Sequence, residues 1–321
     1  MQTAAVGHPP LALTPIGMGG APLGGLFAAV SDEAASAALE AAWNAGVRYF
    51  DTAPLYGFGL SEQRMGAFLR TKPRDAYVIS TKVGRVLRPS RGDPDTSGSL
   101  AGFVGALPYD AIFDFSAQAV RESLESSLER LGLDRVDIAY IHDPDDFYET
   151  ALNVTYPVLH ALREEGVVRA IGAGMNQWEM LERLVRACDL DAILLAGRYT
   201  LLDRSAAASL LPLCRERGVG VVAAGVFNSG ILASSELQPN ATYNYVPAPP
   251  PILDAARALA SACARYEVPL PAAAIQFPLR HPAIAGVVLG MRSAREATEN
   301  AAYARHPIPD ALWSELENIE A

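Results

Sequence analysis

A helix, then a glycine, then an apolar strand: this unit recurs along the chain and constrains its fold more than any other feature. It reads AWNAG–VRYFD, ERLG–LDRVDIAYIHD, REEG–VVRAIGAG and RERG–VGVVAAG. Each glycine stands where a helix C-terminus needs a left-handed residue. The runs that follow are nearly continuous apolar stretches, as in strands covered on both faces. Alternating strands and helices give a parallel sheet. Eight strand candidates can be counted, at residues 15–19, 47–52, 77–83, 135–142, 168–173, 192–199, 219–226 and 285–290. Eight such units in 321 residues predict an α/β fold, a single-domain (β/α)8 TIM barrel over residues 1–321, with a doubly wound sheet as the alternative. The helix in SAQAVRESLESSLERLG shows the quality of the signal: Ser116 is placed to cap it, Val120, Leu124, Leu128 and Leu131 form one stripe, and Gly132 ends it. Two long loops, residues 84–115 after the third strand and 227–251 after the seventh, are rich in Gly, Pro, Ser and Asn. In a barrel, loops after strands line the active-site face.

Composition narrows the partners. A formal net charge of −10 disfavours nucleic acid and anionic membrane surfaces. No apolar run approaches the roughly 18 residues of a membrane span, and the N-terminus lacks the pattern of a signal peptide, so a cytoplasmic enzyme is expected. Cys188, Cys214 and Cys263 are scattered, odd in number and within helical stretches, which reads as buried thiols in a reducing compartment. The oligomeric state, monomer or small homo-oligomer, stays open.

Four polar residues fall at the C-terminal ends of neighbouring strands: Asp51, Tyr56 just after it, Lys82 in YVISTKVG and His142 in DIAYIHDPD. In a barrel these positions meet at one mouth. A lysine in an apolar strand is costly to bury unless a carboxylate accompanies it. A cation beside a phenol favours phenolate, and moving Tyr56 from about 10 to near 8 needs roughly 3 kcal/mol of differential stabilisation. Lys82 is also a candidate Schiff-base amine, which would make the protein a lyase, although an adjacent acid and phenol suit proton transfer better. The run His142-Asp143-Pro144-Asp145-Asp146 lacks diagnostic metal-ligand spacing and reads as solvated loop acids, so no metal is expected. Phe103, Phe113, Phe115 and Phe147 lie in or near the mouth loops as candidate pocket walls.

The motif DTAPLYG…SE, followed by STK and IHDPD, resembles the aldo-keto reductase superfamily over essentially the whole chain. The resemblance implies that Tyr56 is the acid/base, Lys82 tunes it, Asp51 pairs with Lys82 and His142 orients the substrate oxygen. The segments LPYDAIFDFS (107–116), IGAGMNQWE (171–179), LLAGRYTLLD (194–203) and AAGVFNSGIL (223–232) are similar to the aldose 1-dehydrogenase branch of that family. That branch oxidises C1 of a cyclic sugar, of L-fucose or D-threo-aldose type, to a lactone. Pyridoxal-oxidising enzymes resemble it too. A non-catalytic nucleotide-binding barrel is a further reading, opposed by the intact tetrad.

The same resemblance implies NADP or NAD as cofactor, with a small sugar or aldehyde as substrate. Gly19, Gly20 and Ala21 in IGMGGAPLGG would lie under the nicotinamide, with close backbone packing as the plainer explanation of those glycines. Gly174-Met175, Ala196 and Ala224 depart from the commoner reductases. Asn176 would reach the carboxamide, and Phe227 or Tyr199 would stack on the ring. Asn228, Ser229 and Gly230 would offer N–H groups to the pyrophosphate, or form a plain turn. In LGMRSAREATENAAYA (289–304), Arg292 and Arg295 would hold a 2′-phosphate that Glu296 would repel, with Asp51, Glu299 and Asn300 completing the cofactor contacts.

Overall fold

The computed structural model describes residues 4–7, 9–90, 102–238 and 240–319. Eight parallel strands close into a barrel: β1 (Ile16–Gly19), β2 (Tyr49–Asp51), β3 (Val78–Val83), β4 (Ile138–His142), β5 (Ala170–Met175), β6 (Ala192–Ala196), β7 (Gly220–Ala224) and β8 (Ile284–Gly290). They pair in sequence order, and β8 returns to β1. All eight candidates are therefore barrel strands, and the doubly wound alternative falls because the sheet has no open edge. The glycines of the repeating unit behave as their position demands: Gly46, Gly132, Gly166 and Gly218 all have positive φ. Ser116 Oγ accepts from the N–H of Ala119 at the start of helix Ala117–Leu131.

Packing divides into an outer and an inner layer. Outward-facing Ile79, Ala139, Ile141, Ile171, Ile193, Val221 and Val287 pack under the helices. Inside, Tyr49, Val78, Ile138, Tyr140, Leu194 and Val222 fill the barrel together with Val6, Leu11 and Leu13. Those last three come from an N-terminal hairpin, Ala4–Val6 with Leu11–Leu13, which sequence reasoning missed.

The two predicted loops carry structure of their own. Residues 84–115 contain an antiparallel ribbon, Arg85–Pro89 with Tyr109–Phe113. Residues 227–251 contain a shorter one, Thr242–Tyr243 with Val246–Pro247. Both stand above the C-terminal mouth.

Candidate active site

Register places the polar residues. Asp51 is level with Ser80 on β3, Lys82 with Tyr140 on β4, and His142 with Gly174 on β5. Alternation along β3 therefore turns Ser80 and Lys82 to the same face as Asp51. Lys82 Nζ donates to Asp51 Oδ2 at 2.7 Å and to the Thr52 carbonyl at 2.9 Å. Lys82 is only 1% exposed, so this pairing is what allows a cation there. Ser80 Oγ donates to Asp51 Oδ1 at 2.7 Å. Its single proton is then committed, so Tyr49 donates to Ser80 (3.0 Å) and Tyr140 to Tyr49 (3.3 Å). Burial holds both tyrosines protonated, by raising their pKa values, and keeps them donors.

Tyr56 hangs over this group, with Lys82 Nζ 4.7 Å from its ring centroid. Its backbone is clamped from below: a Cβ at Gly24 would come within 2.5 Å of the Tyr56 carbonyl carbon. His142 stands edge-on to Tyr56, centroids 6.0 Å apart and planes at 88°. The expectation of a strongly acidified phenol does not hold. Burial pushes Tyr56 up to about 12, against the downward pull of Lys82. Lys82 itself is raised: burial opposes its charge, but Asp51 and Tyr56 together outweigh that. Burial, then Lys82 and Arg85, hold His142 well below its ordinary value, so its imidazole is neutral.

Tyr56, Lys82 and His142 line a cavity of about 420 Å³. Leu26, Phe27 and Leu55 add to its wall, as do Phe103, Met175, Leu194 and Tyr245. Of these only Phe103 was foreseen. Phe113 and Phe147 border a neighbouring recess, and Phe115 is buried beneath them. Asp143 is only partly the solvated acid expected: its side chain is 30% exposed, but it lines both spaces and pairs with Arg85 at 2.8 Å. Among the described residues no cluster of His, Cys, Asp and Glu is arranged to hold a metal ion.

The proposed cofactor contacts divide. Ala21 and Asn176 line the cavity. Asn228 lies close by: a Cβ on Gly197 would be 3.9 Å from both the Asn176 and Asn228 amide nitrogens. Those nitrogens donate to the Ala196 and Gly197 carbonyls, and the buried Oδ1 of Asn228 has no partner among the described residues. Ala21 and the amide side chain of Asn176, both on the cavity wall, fit a nicotinamide carboxamide, whereas Asn228 is buried and does not line the cavity. Gly19 and Gly20 are explained by packing, since a Cβ on them would meet Val288 at 2.9 Å and Ser61 at 2.3 Å. Tyr199 packs on Phe277 and His281, and Phe227 lies against the core, so neither lines the cavity. The N–H groups of Asn228 and Gly230 are engaged by the Gly225 and Phe227 carbonyls, which makes NSG a turn, held through Ser229 Oγ by the N–H of Tyr245. Arg292 and Arg295 pair with Glu296 and Glu299 on the helix Ala294–Tyr303, and Asn300 is buried in it.

The aldo/keto reductase family model matches residues 15–321. The chain belongs to the aldo/keto reductase family. It is an NAD(P)-dependent oxidoreductase. This aldo/keto reductase is 49% identical to D-threo-aldose 1-dehydrogenase of a Pseudomonas species, over 95% of this chain and 94% of that one. It is 40% identical to pyridoxal 4-dehydrogenase of Microbacterium luteolum, over 99% and 97%. Among solved structures, the glycerol dehydrogenase of Gluconobacter oxydans shares the fold with a TM-score of 0.81 at 21% identity, covering 99% of this chain and 94% of that one. No helix among the described residues is long and apolar enough to cross a membrane.

Proposed function

We propose that this aldo-keto reductase oxidises C1 of a cyclic aldose to the lactone. The observation that carries the reading is the 49% identity to an aldose 1-dehydrogenase over 95% of this chain. Ala21 and Asn176 would hold the nicotinamide. When bound, that group accepts the hydride leaving C1 and, in its oxidised form, brings a positive charge near Tyr56. Tyr56 takes the C1 hydroxyl proton as the C1–oxygen double bond forms. With burial pushing it up to about 12, Tyr56 is an acid within its pocket and needs added positive charge to serve as a base. Lys82 supplies part of that charge, and Asp51 keeps Lys82 in place. Neutral His142 orients the C1 oxygen from the other side.

A second reading, oxidation of pyridoxal, is favoured by the 40% identical relative and by the aromatic rim of Phe27, Phe103 and Tyr245. Both readings are tested by one panel: L-fucose, L-galactose, D-arabinose and pyridoxal with NAD+ and with NADP+, followed at roughly 340 nm, where reduced nicotinamides absorb. Aldose turnover at least about tenfold above that of pyridoxal in kcat/KM supports the first reading. Turnover of pyridoxal alone replaces it with the second.

A further inference from the structure

We propose that Asp143, steadied by Arg85, binds the substrate's hydroxyl groups and sets a preference for polyhydroxylated over plain aldehydic substrates. The inference rests on the aldose reading above.

Asp143 follows His142 directly but leaves the strand in a left-handed conformation, φ 45°, fixed by its N–H to the Gly174 carbonyl at 3.1 Å. A non-glycine residue holds that conformation only where its surroundings compensate the strain. The result is a carboxylate at the partition between the catalytic cavity and a neighbouring recess of about 390 Å³, which also holds Arg85, Asp145 and Asp146. Oδ2 accepts from Arg85 Nη2 at 2.8 Å and lies 3.5 Å from His142 Nε2. Oδ1 has no hydrogen-bond donor among the described residues. Arg85 is stacked over Phe113, 4.0 Å from the ring centroid, and its buried Nε is likewise without an acceptor.

Beyond Tyr245 and Asn176, the remaining wall offers little to a sugar. Leu26, Leu55, Phe103, Met175 and Leu194 are apolar. Once the C1 oxygen is placed between Tyr56 and His142, the other hydroxyls need partners or lose their hydration without return. A carboxylate accepts from two adjacent hydroxyls at once, and a guanidinium N–H donates to a third oxygen. Burial raises the Asp143 carboxyl, and the Arg85 guanidinium beside it restrains the rise.

The test compares wild type with Asp143→Ala and Asp143→Asn. One assay is kcat/KM for an aldose that wild type oxidises, and the other is kcat/KM for benzaldehyde reduction. Calorimetric titration of the aldose into the cofactor-loaded proteins gives a second readout. The expected result for Asp143→Ala is a loss of about 100-fold for the aldose, mainly in KM, matched by the titration and at least about 30-fold larger than the loss for benzaldehyde. Asp143→Asn, which keeps one acceptor oxygen, is expected to fall between. Equal losses for both substrates, or unweakened aldose binding, would overturn the inference while leaving the aldose reading intact. A wild type that oxidises no aldose would overturn both.

Discussion

Replacing Lys82 by methionine keeps the unbranched stem and removes the ammonium that holds the site together. Lys82 Nζ stands 2.7 Å from Asp51 Oδ2, with the two side chains 1% and 3% exposed. At an effective dielectric constant of about 20, unit charges at that separation attract by about 6 kcal/mol. Losing one partner of a buried pair usually costs less, roughly 3–5 kcal/mol, because relaxation and entering water recover part of it. Ser80 still donates to Asp51 Oδ1 after the change. The expected loss is therefore at the lower end, about 3 kcal/mol, read as a fall in the urea midpoint at constant slope. Adding Asp51→Asn removes the stranded charge and is expected to restore at least half of that loss. Turnover follows another rule. Tyr56 lacks its neighbouring cation in both variants, so both are expected to lose about 10²–10⁴-fold. A single variant destabilised by less than about 1 kcal/mol, or a double variant that regains turnover along with stability, would refute the argument.

Tyr56→Phe is expected to keep cofactor affinity in a fluorescence titration while losing about 10²–10⁴-fold in turnover. Gly24→Ala pushes a methyl against the Tyr56 and Gly57 backbone, at 2.5 and 2.6 Å, so kcat should fall about 10–100-fold with a smaller change in cofactor affinity. Because burial pushes Tyr56 up to about 12, oxidation should speed up as pH rises from about 7 to about 10, while reduction, which uses the protonated phenol, stays flat; a flat oxidation profile would count against Tyr56 as the base. His142 is depressed in the fold and ordinary, near 6.5, when unfolded. The unfolded chain then binds the extra proton, so His142's contribution to stability is complete above about pH 6.5 and declines as pH falls below it; His142→Gln should flatten that decline in urea-unfolding curves.

The barrel was legible because glycine at helix ends and unbroken apolar runs are local signals. Several strand starts, those of β2 and β4 above all, were read too early for a physical reason. Val47 and Val136 are buried at 1% yet lie in the irregular segments just before β2 and β4, packing on the core without joining the ladder. The N-terminal hairpin went unseen because its strands, AAV and LAL, are too short to show a period. The tetrad could be read since register alone brings strand ends together. The rim could not. Phe27 and Tyr245 sit in left-handed conformations, at φ 64° and 66°, that only the folded loops impose. The ion pair of Asp143 went unseen because nothing in HDPDD announces that Arg85, 58 positions earlier, will meet it.

The division of labour between the barrel's interior and its rim has a practical consequence. Proton handling is lodged in β2, β3 and the first turn after β2, braced from beneath by Ser80, Tyr49 and Tyr140. The surfaces that meet the rest of a substrate come from separate excursions after β1, β3, β4 and β7, which supply Phe27, Phe103, Asp143 and Tyr245. Randomising Phe27 and Tyr245, the two of these that make no ring contact or ion pair with Tyr56 or His142 among the described residues, would reshape what the enzyme admits at the least disturbance to its acid–base engine, so this chain is a chassis for directed evolution toward new alcohols and aldehydes.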